Sequence, residues 1–284
     1  MFDEFATIYL ALMVETTPFL LAGVVLAVVA GPWLQRSVAV AASRTPGLGL
    51  VAGAGAGLAL PMCDCGSRPL AQRMAIAGQT HFAIAFLVAA PIVNPIVIVT
   101  TWLAFRDAEL VILRLGLAVL VAIVAALVIG SLRGDVARRL APDAHHAAGV
   151  GPWHQRLPAE ILSDFVGLFT WLVLGAALAA ALQVFVDNSV FTDRAGLVVP
   201  IAMMMALGFV LSICSSVDAL VIAGLAGSLG TGPLLGFLVF GPIMNLKSMP
   251  LYGRLFSVAT VGLLALISAE LVFVAATVVE LRGW

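Results

Sequence analysis

The sequence predicts an all-α polytopic membrane protein built as an inverted repeat, each half supplying three transmembrane helices plus a re-entrant or broken helical hairpin. Three observations predict it: an apolar composition with long uncharged runs, an internal duplication at a fixed offset, and polar breaks at equivalent places in both halves. Of 284 residues, 62% are hydrophobic and 10% charged, with a mean hydropathy of +1.15. Soluble domains carry roughly a quarter charged residues. Several apolar runs exceed the roughly 20 residues a helix needs to cross a bilayer. In lipid the backbone must satisfy its own polar groups, so those runs read as helices.

Composition also excludes classes of function. A net charge of −1 argues against a nucleic-acid partner. The longest polar stretch, from about Arg133 to Glu160, is too short for a second soluble domain. The chain begins Met-Phe-Asp-Glu, acidic where a cleaved leader is basic, and the first apolar run is long enough to remain as a span. Three cysteines, Cys63, Cys65 and Cys214, are an odd set lying in apolar surroundings, which argues against a disulfide framework.

The duplication appears at an offset of 151 residues. Residues 57–94 lie over 208–245 without a gap, and 11 of the 38 positions are identical. Leu, Val and Ala matches follow from apolar bias, but Cys63/Cys214, Pro91/Pro242 and Asn94/Asn245 do not. The first half reads as a span at 5–30, a broken segment at 48–78, a second broken span at 81–105 and a span at 110–131. The second half reads as spans at 159–186, 199–229, 232–254 and 257–280. The chain thus divides into a first membrane repeat, 1–131, a cytoplasmic linker loop, 132–158, and a second membrane repeat, 159–284.

Arms of 48–62 and 67–78 would be about 22 Å and about 18 Å long as helix, each short for a full span. Between them lies Pro61-Met-Cys-Asp-Cys-Gly66, poor helix material. Basic residues in short loops mark the cytoplasmic side. If both broken segments are hairpins, the clusters Arg36/Arg44, Arg133/Arg138/Arg139/Arg156 and Lys247/Arg254 fall on one side, and the loop with Asp187 and Asp193 on the other. Three crossings per half then invert the second half, with both termini outward. Interrupted helices in inverted repeats mark transporters, with the site near the midplane where the halves meet.

The tips, Cys63–Gly66 and Cys214–Asp218, supply the first site candidates: Cys63, Asp64, Cys65, Cys214 and Asp218. Thiolates converging at the midplane suit a soft solute or metal; the bland alternative is that a buried Cys is a small hydrophobe. Intramembrane charge supplies the second set. Arg68, Arg73 and Lys247 lie within or beside the broken segments, and Glu15 and Glu270 within apolar spans. Charges at that depth usually face a cavity or a partner, and the two acids are placed for coupling; pairing of Asp64 with Arg68, or snorkelling of Arg73 and Lys247, is the bland alternative. Asn94 and Asn245, in Pro91-Ile-Val-Asn-Pro95 and Gly241-Pro-Ile-Met-Asn245, could bond a solute or cap the helix breaks that proline creates. Gly53-Ala-Gly55-Ala-Gly57 suits close helix packing. The loop histidines His145, His146 and His154 form a weak metal candidate, and no phosphate loop, nucleotide fingerprint or catalytic triad is present. No cofactor and no enzymatic activity are expected.

Pro-Met-Cys63-Asp-Cys65-Gly66, Ala85-Phe-Leu with Pro91-Ile-Val-Asn94-Pro95, Cys214-Ser-Ser-Val-Asp218-Ala and Phe237-Leu-Val-Phe-Gly241-Pro-Ile-Met-Asn-Leu-Lys247 resemble the bacterial predicted-permease family that includes the ArsP organoarsenical efflux permeases. The first span, with Pro18-Phe-Leu-Leu-Ala-Gly23, is similar too. The resemblance covers nearly the whole chain. It implies a multi-pass permease of the bacterial cytoplasmic (inner) membrane, some of whose relatives export trivalent organoarsenicals. The chain departs from the family at Asp64, where serine is usual, at Arg68, where an apolar residue is usual, and at Asn245, where an aspartate often stands.

The expected function is secondary transport of a small thiophilic solute, with Cys63, Cys65 and Cys214 as ligands. One alternative is transport of a sulfur compound or small anion held by Arg68, Lys247 and helix ends. Another is a membrane thiol-redox protein, disfavoured because a Cys-x-Cys disulfide closes a strained ring. The expected partners are the solute, the lipid bilayer and further copies of the chain in a homo-oligomer, with no nucleic acid.

Overall fold

The computed structural model describes residues 2–44, 46–59, 64–132, 153–185, 198–215, 217–223 and 229–283. The regular elements among these residues are all helices, without strands. In chain order the helices are α1 (Phe2–Arg44), α2 (Pro46–Ala59), α3 (Asp64–Ile76), α4 (Thr80–Ala89), α5 (Pro95–Phe105) and α6 (Ala108–Leu132). The second half supplies α7 (Trp153–Phe185), α8 (Val198–Leu211), α9 (Asp218–Ala223), α10 (Thr231–Ile243), α11 (Met249–Leu255) and α12 (Val258–Leu281). Among the described residues, four segments are long and apolar enough to cross a membrane: Phe5–Val29, Ala108–Ser131, Leu157–Ala177 and Val258–Leu281.

Each helix of the first half has a counterpart in the second near the 151-residue offset. The packing repeats as well. α4 packs on α2 and α6 as α10 packs on α8 and α12, while α1 against α7 and α6 against α12 join the halves. α4 and α10 are the two centres. Phe82 through Ala89 are all buried, as are Gly232 through Val239. Helices apolar and buried on every side must lie inside a bundle. Small residues let their neighbours approach: a Cβ on Gly53 would lie 2.7 Å from the Phe82 carbonyl, and one on Gly57 would lie 2.7 Å from the Val93 carbonyl. Because residue 53 meets 82 and residue 57 meets 93, α2 and α4 run parallel. Gly208 sits likewise against Phe237 and Gly241, and Gly236 against Ile201 and Met205, so α8 and α10 run parallel too.

The spans expected at 5–30, 110–131, 159–186 and 257–280 are helical over most of their length, those expected at 199–229 and 232–254 are interrupted after Leu211 and after Ile243, and three further differences stand out. α1 continues to Arg44, past the span end expected near residue 30, so Arg36 and Arg44 lie on a helix and not in a loop. α7 begins at Trp153, inside the expected linker loop, and accommodates Pro158 in its early turns. Lys247, expected at a span end, lies in the break between α10 and α11 and is fully buried. The loop clusters Arg133/Arg138/Arg139 and Asp187/Asp193, with His145 and His146, fall outside the described residues; Arg156 and His154 are described only as backbone of α7.

Candidate functional site

Both interrupted segments reach the same stretch of α1. Gly23 lies directly against the backbone of Gly66, so that a Cβ on Gly23 would overlap the Gly66 Cα. Cys214, at the start of the second tip, is 2% exposed, in a buried cluster with Leu20 and Val24 of α1 and Leu168 and Leu172 of α7. The shared stretch, Leu20–Val24, is the Pro18–Gly23 region singled out in the sequence. Cys63 lies outside the described residues, and Asp64 and Cys65 are described only as the first residues of α3. Of the three thiols, the one described is covered by apolar side chains, the packing of a small hydrophobe. Among the described residues no cluster of His, Cys, Asp and Glu could hold a metal.

The charges of the tips are bound across the two halves. Arg114 of α6 donates through Nη2 to Asp218 Oδ2 at 2.6 Å and through Nη1 to Thr101 Oγ1 at 2.6 Å. Thr101 in turn donates to the Val97 carbonyl, and the Ala219 amide donates to Asp218 Oδ1. The side chains of Arg114 and Asp218 are 1% and 3% exposed. A buried charge is tolerated only when paired and hydrogen-bonded, and here each ion supplies the other's partner. In the first tip, Arg68 donates through Nη1 to the Ser248 carbonyl at 2.9 Å, and its guanidinium carbon lies 4.2 Å from the Tyr252 ring centre. Tyr252 is fixed in turn by donating to the Ile243 carbonyl at 2.9 Å. The side chain of Asp64, the expected partner of Arg68, lies outside the described residues.

The two arrangements share a register. Thr101 and Tyr252, Val97 and Ser248, and Ser67 and Asp218 are mates at the 151-residue offset. Each tip thus fastens to the same turn of the second broken span in the opposite half: the first directly, the second through Arg114.

Asn94 and Asn245 serve the breaks. Asn94 caps α5, accepting from the Ile96 amide at 2.9 Å ahead of Pro95 at the first helical position. Asn245 donates to the Gly241 carbonyl at 3.1 Å and accepts from the Ser248 amide at 2.9 Å. These are capping roles. Beside them the Lys247 amide donates to Ser212 Oγ, and Ser212 holds the left-handed φ of 52° where α8 ends. The Lys247 carbonyl lies directly against Gly175 of α7. Arg73 is held by Asp164 at 2.6 Å and Glu160 at 3.6 Å, so pairing and not snorkelling explains it. Glu270 is exposed on α12, away from these contacts, in an open groove of about 420 Å³. Glu15 is described only as backbone of α1.

Sequence reasoning missed Arg114, the partner of Asp218. The signal was available: Arg114 is the one charge in the apolar stretch 110–131.

The profile of a protein family described as "Predicted permease" (ArsP_1) matches residues 1–281. The UPF0718 protein YcgR of Bacillus subtilis (strain 168) is 31% identical over 261 residues, covering 87% of each chain. A Streptococcus mutans protein named "Putative two-component membrane permease complex subunit" is 29% identical over 251 residues, covering 85% of this chain and 83% of its own. No solved structure gives a significant match.

Proposed function

We propose, for a chain that belongs to the ArsP_1 predicted permease family, a secondary transporter whose two halves are inverted repeats and whose solute crosses where the two interrupted segments meet α1. The observation that carries this reading is the convergence of Gly66 and Cys214 on Leu20–Val24. The parallel run of α2 with α4, and of α8 with α10, supports the hairpin reading: α3 must bring the chain back before α4 can start in the direction of α2. Three crossings then follow for each of the repeats 1–131 and 159–284, and the second half is inverted. The multi-pass protein sits in the bacterial cytoplasmic membrane, with residues 132–158 on the cytoplasmic side.

The solute favoured by the tips is small and thiophilic, such as a trivalent organoarsenical, taken by Cys63, Cys65 and Cys214 with Asp64, Asp218, Asn94 and Asn245 nearby. Because apolar side chains of α1 and α7 cover Cys214, the second tip must move for its thiol to meet solute. The ties of Arg114 to Asp218 and of Arg68 to Ser248 and Tyr252 act as latches that hold the tips closed. Glu15 remains the acid available for coupling. A second reading, transport of a small anion, is favoured by the burial of Arg68 and Lys247 on either side of Ser248. In line with the name of the Streptococcus mutans relative, the chain works together with a second membrane subunit.

The test is accumulation of trivalent methylarsenical in cells making the wild type, the Cys63→Ser/Cys65→Ser/Cys214→Ser protein, or neither. Accumulation below the empty-vector level, restored to it by the triple substitution, is the expected result. Accumulation at the empty-vector level with the wild type removes organoarsenicals as solute, and efflux that survives the triple substitution removes the thiol ligands.

A further inference from the structure

Glu270 stands at the middle of α12, twelve residues after Val258 and eleven before Leu281, so it is about 18 Å and about 17 Å from the two ends of the helix. Neither membrane surface is within reach of its side chain. It is exposed, and nothing among the described residues bonds to or pairs with its carboxylate. It lies in the open groove of about 420 Å³ between α8, α10 and α12, whose other lining residues are all apolar. Ala202, Ala206 and Ala269 provide small side chains in that groove, and Phe209, Phe240 and Phe273 provide large ones. Small residues admit a neighbouring helix to close range, and a carboxylate in lipid requires a donor on that neighbour.

The fold itself does not need this acid. In the first half the register mates of Glu270, Ala202 and Ala206 are Val119, Val51 and Gly55, so the matching face is uncharged. Among the described residues, the arginines of α5 and α6 do not suit a second copy as the occupant. Arg114 is buried against Asp218, and Arg106 stands at the C-cap of α5, so neither offers an exposed cation at the middle of a span.

We infer that the α8–α12 groove docks a transmembrane helix of the second membrane subunit, one carrying a lysine or arginine near its midpoint that pairs with Glu270. This rests on the reading that the chain works with such a subunit, and it adds the surface and the chemistry of the contact.

The experiment uses the full chain in lipid nanodiscs. The probes are transmembrane peptides of about 20 Leu and Ala residues, identical except for Lys, Leu or Glu at the centre. The Lys peptide binds at least about tenfold more tightly than the Leu peptide, the scale of one interhelical polar contact. The preference disappears in Glu270→Gln and survives Val119→Leu. Equal binding of the Lys and Leu peptides, or a preference that persists in Glu270→Gln, overturns the inference. So does a change in the chain's own oligomeric state caused by Glu270→Gln, which would assign the groove to a second copy. Transport by the Cys63→Ser/Cys65→Ser/Cys214→Ser protein is read separately, so the docking contact and the solute reading fail independently.

Discussion

The two tips occupy equivalent places in the duplicated halves, yet they are fastened by different chemistry. The second tip carries an anion, Asp218, which burial obliges to find a cation, and Arg114 reaches it from α6 of the other half. The first tip carries a cation, Arg68, which donates to a backbone carbonyl and rests on an aromatic face. Across the 151-residue offset the position of the fastening is kept while its residues are not. The difference makes the latches unequal. Neutralising one partner of the Arg114–Asp218 pair strands the other charge, whereas the Ser248 carbonyl and the Tyr252 ring bear no charge that could be stranded.

The largest effect should come from stranding Asp218. Arg114→Met leaves a buried carboxylate without its cation, at a cost of about 3–5 kcal/mol. The protein should lose most of its folded fraction in detergent, as read by size-exclusion profile and thermal unfolding. Arg114→Met with Asp218→Leu should recover most of that stability, because removing both charges of a buried pair is close to neutral. If the double variant is no more stable than the single one, the ion pair is not what fastens the second tip. Next in size is the contact of the first tip with α1. Gly23→Ala forces the helix and Gly66 apart, an overpacking cost of about 1–3 kcal/mol. Gly116→Ala, where an added Cβ meets nothing within 4 Å, should leave the unfolding temperature unchanged and serves as its control. The smallest effect is Arg68→Lys, which keeps the charge and loses the planar stack on Tyr252. It should cost about 1 kcal/mol, read by the same unfolding measurement; a loss as large as that of Arg114→Met would erase the inequality of the two latches.

Much of this architecture is legible in the sequence because lipid leaves the chain few choices. A long apolar run becomes helix, and Pro91, Asn94, Pro242 and Asn245 mark the breaks since proline removes a donor and Asn supplies a cap. The helical continuation of α1 to Arg44 is less legible, since hydropathy reports where a span ends and not where a helix does. The depth of Lys247 was hidden for the opposite reason: a basic residue late in a span reads as a loop marker, while the helix break at residues 244–248 places it in the protein interior. The pairing of Arg114 with Asp218 spans 104 residues, and no local spacing encodes it. A lone charge in an apolar span shows that a partner exists, and only the packing of α9 on α5 and α6's approach to it show which.

In the proposed transporter the second tip is a covered, latched element that must open for its thiol to meet solute. The direct measurement is the rate at which a maleimide labels Cys214 in a Cys63→Ser/Cys65→Ser background reconstituted in liposomes. The account predicts slow labelling, rising at least about tenfold when Asp218→Asn undoes the latch, since tenfold corresponds to about 1.4 kcal/mol of lost holding energy. Arg68→Gln, acting on the other tip, should leave the rate unchanged. Fast labelling of the background protein, or a rate indifferent to Asp218→Asn, would contradict it.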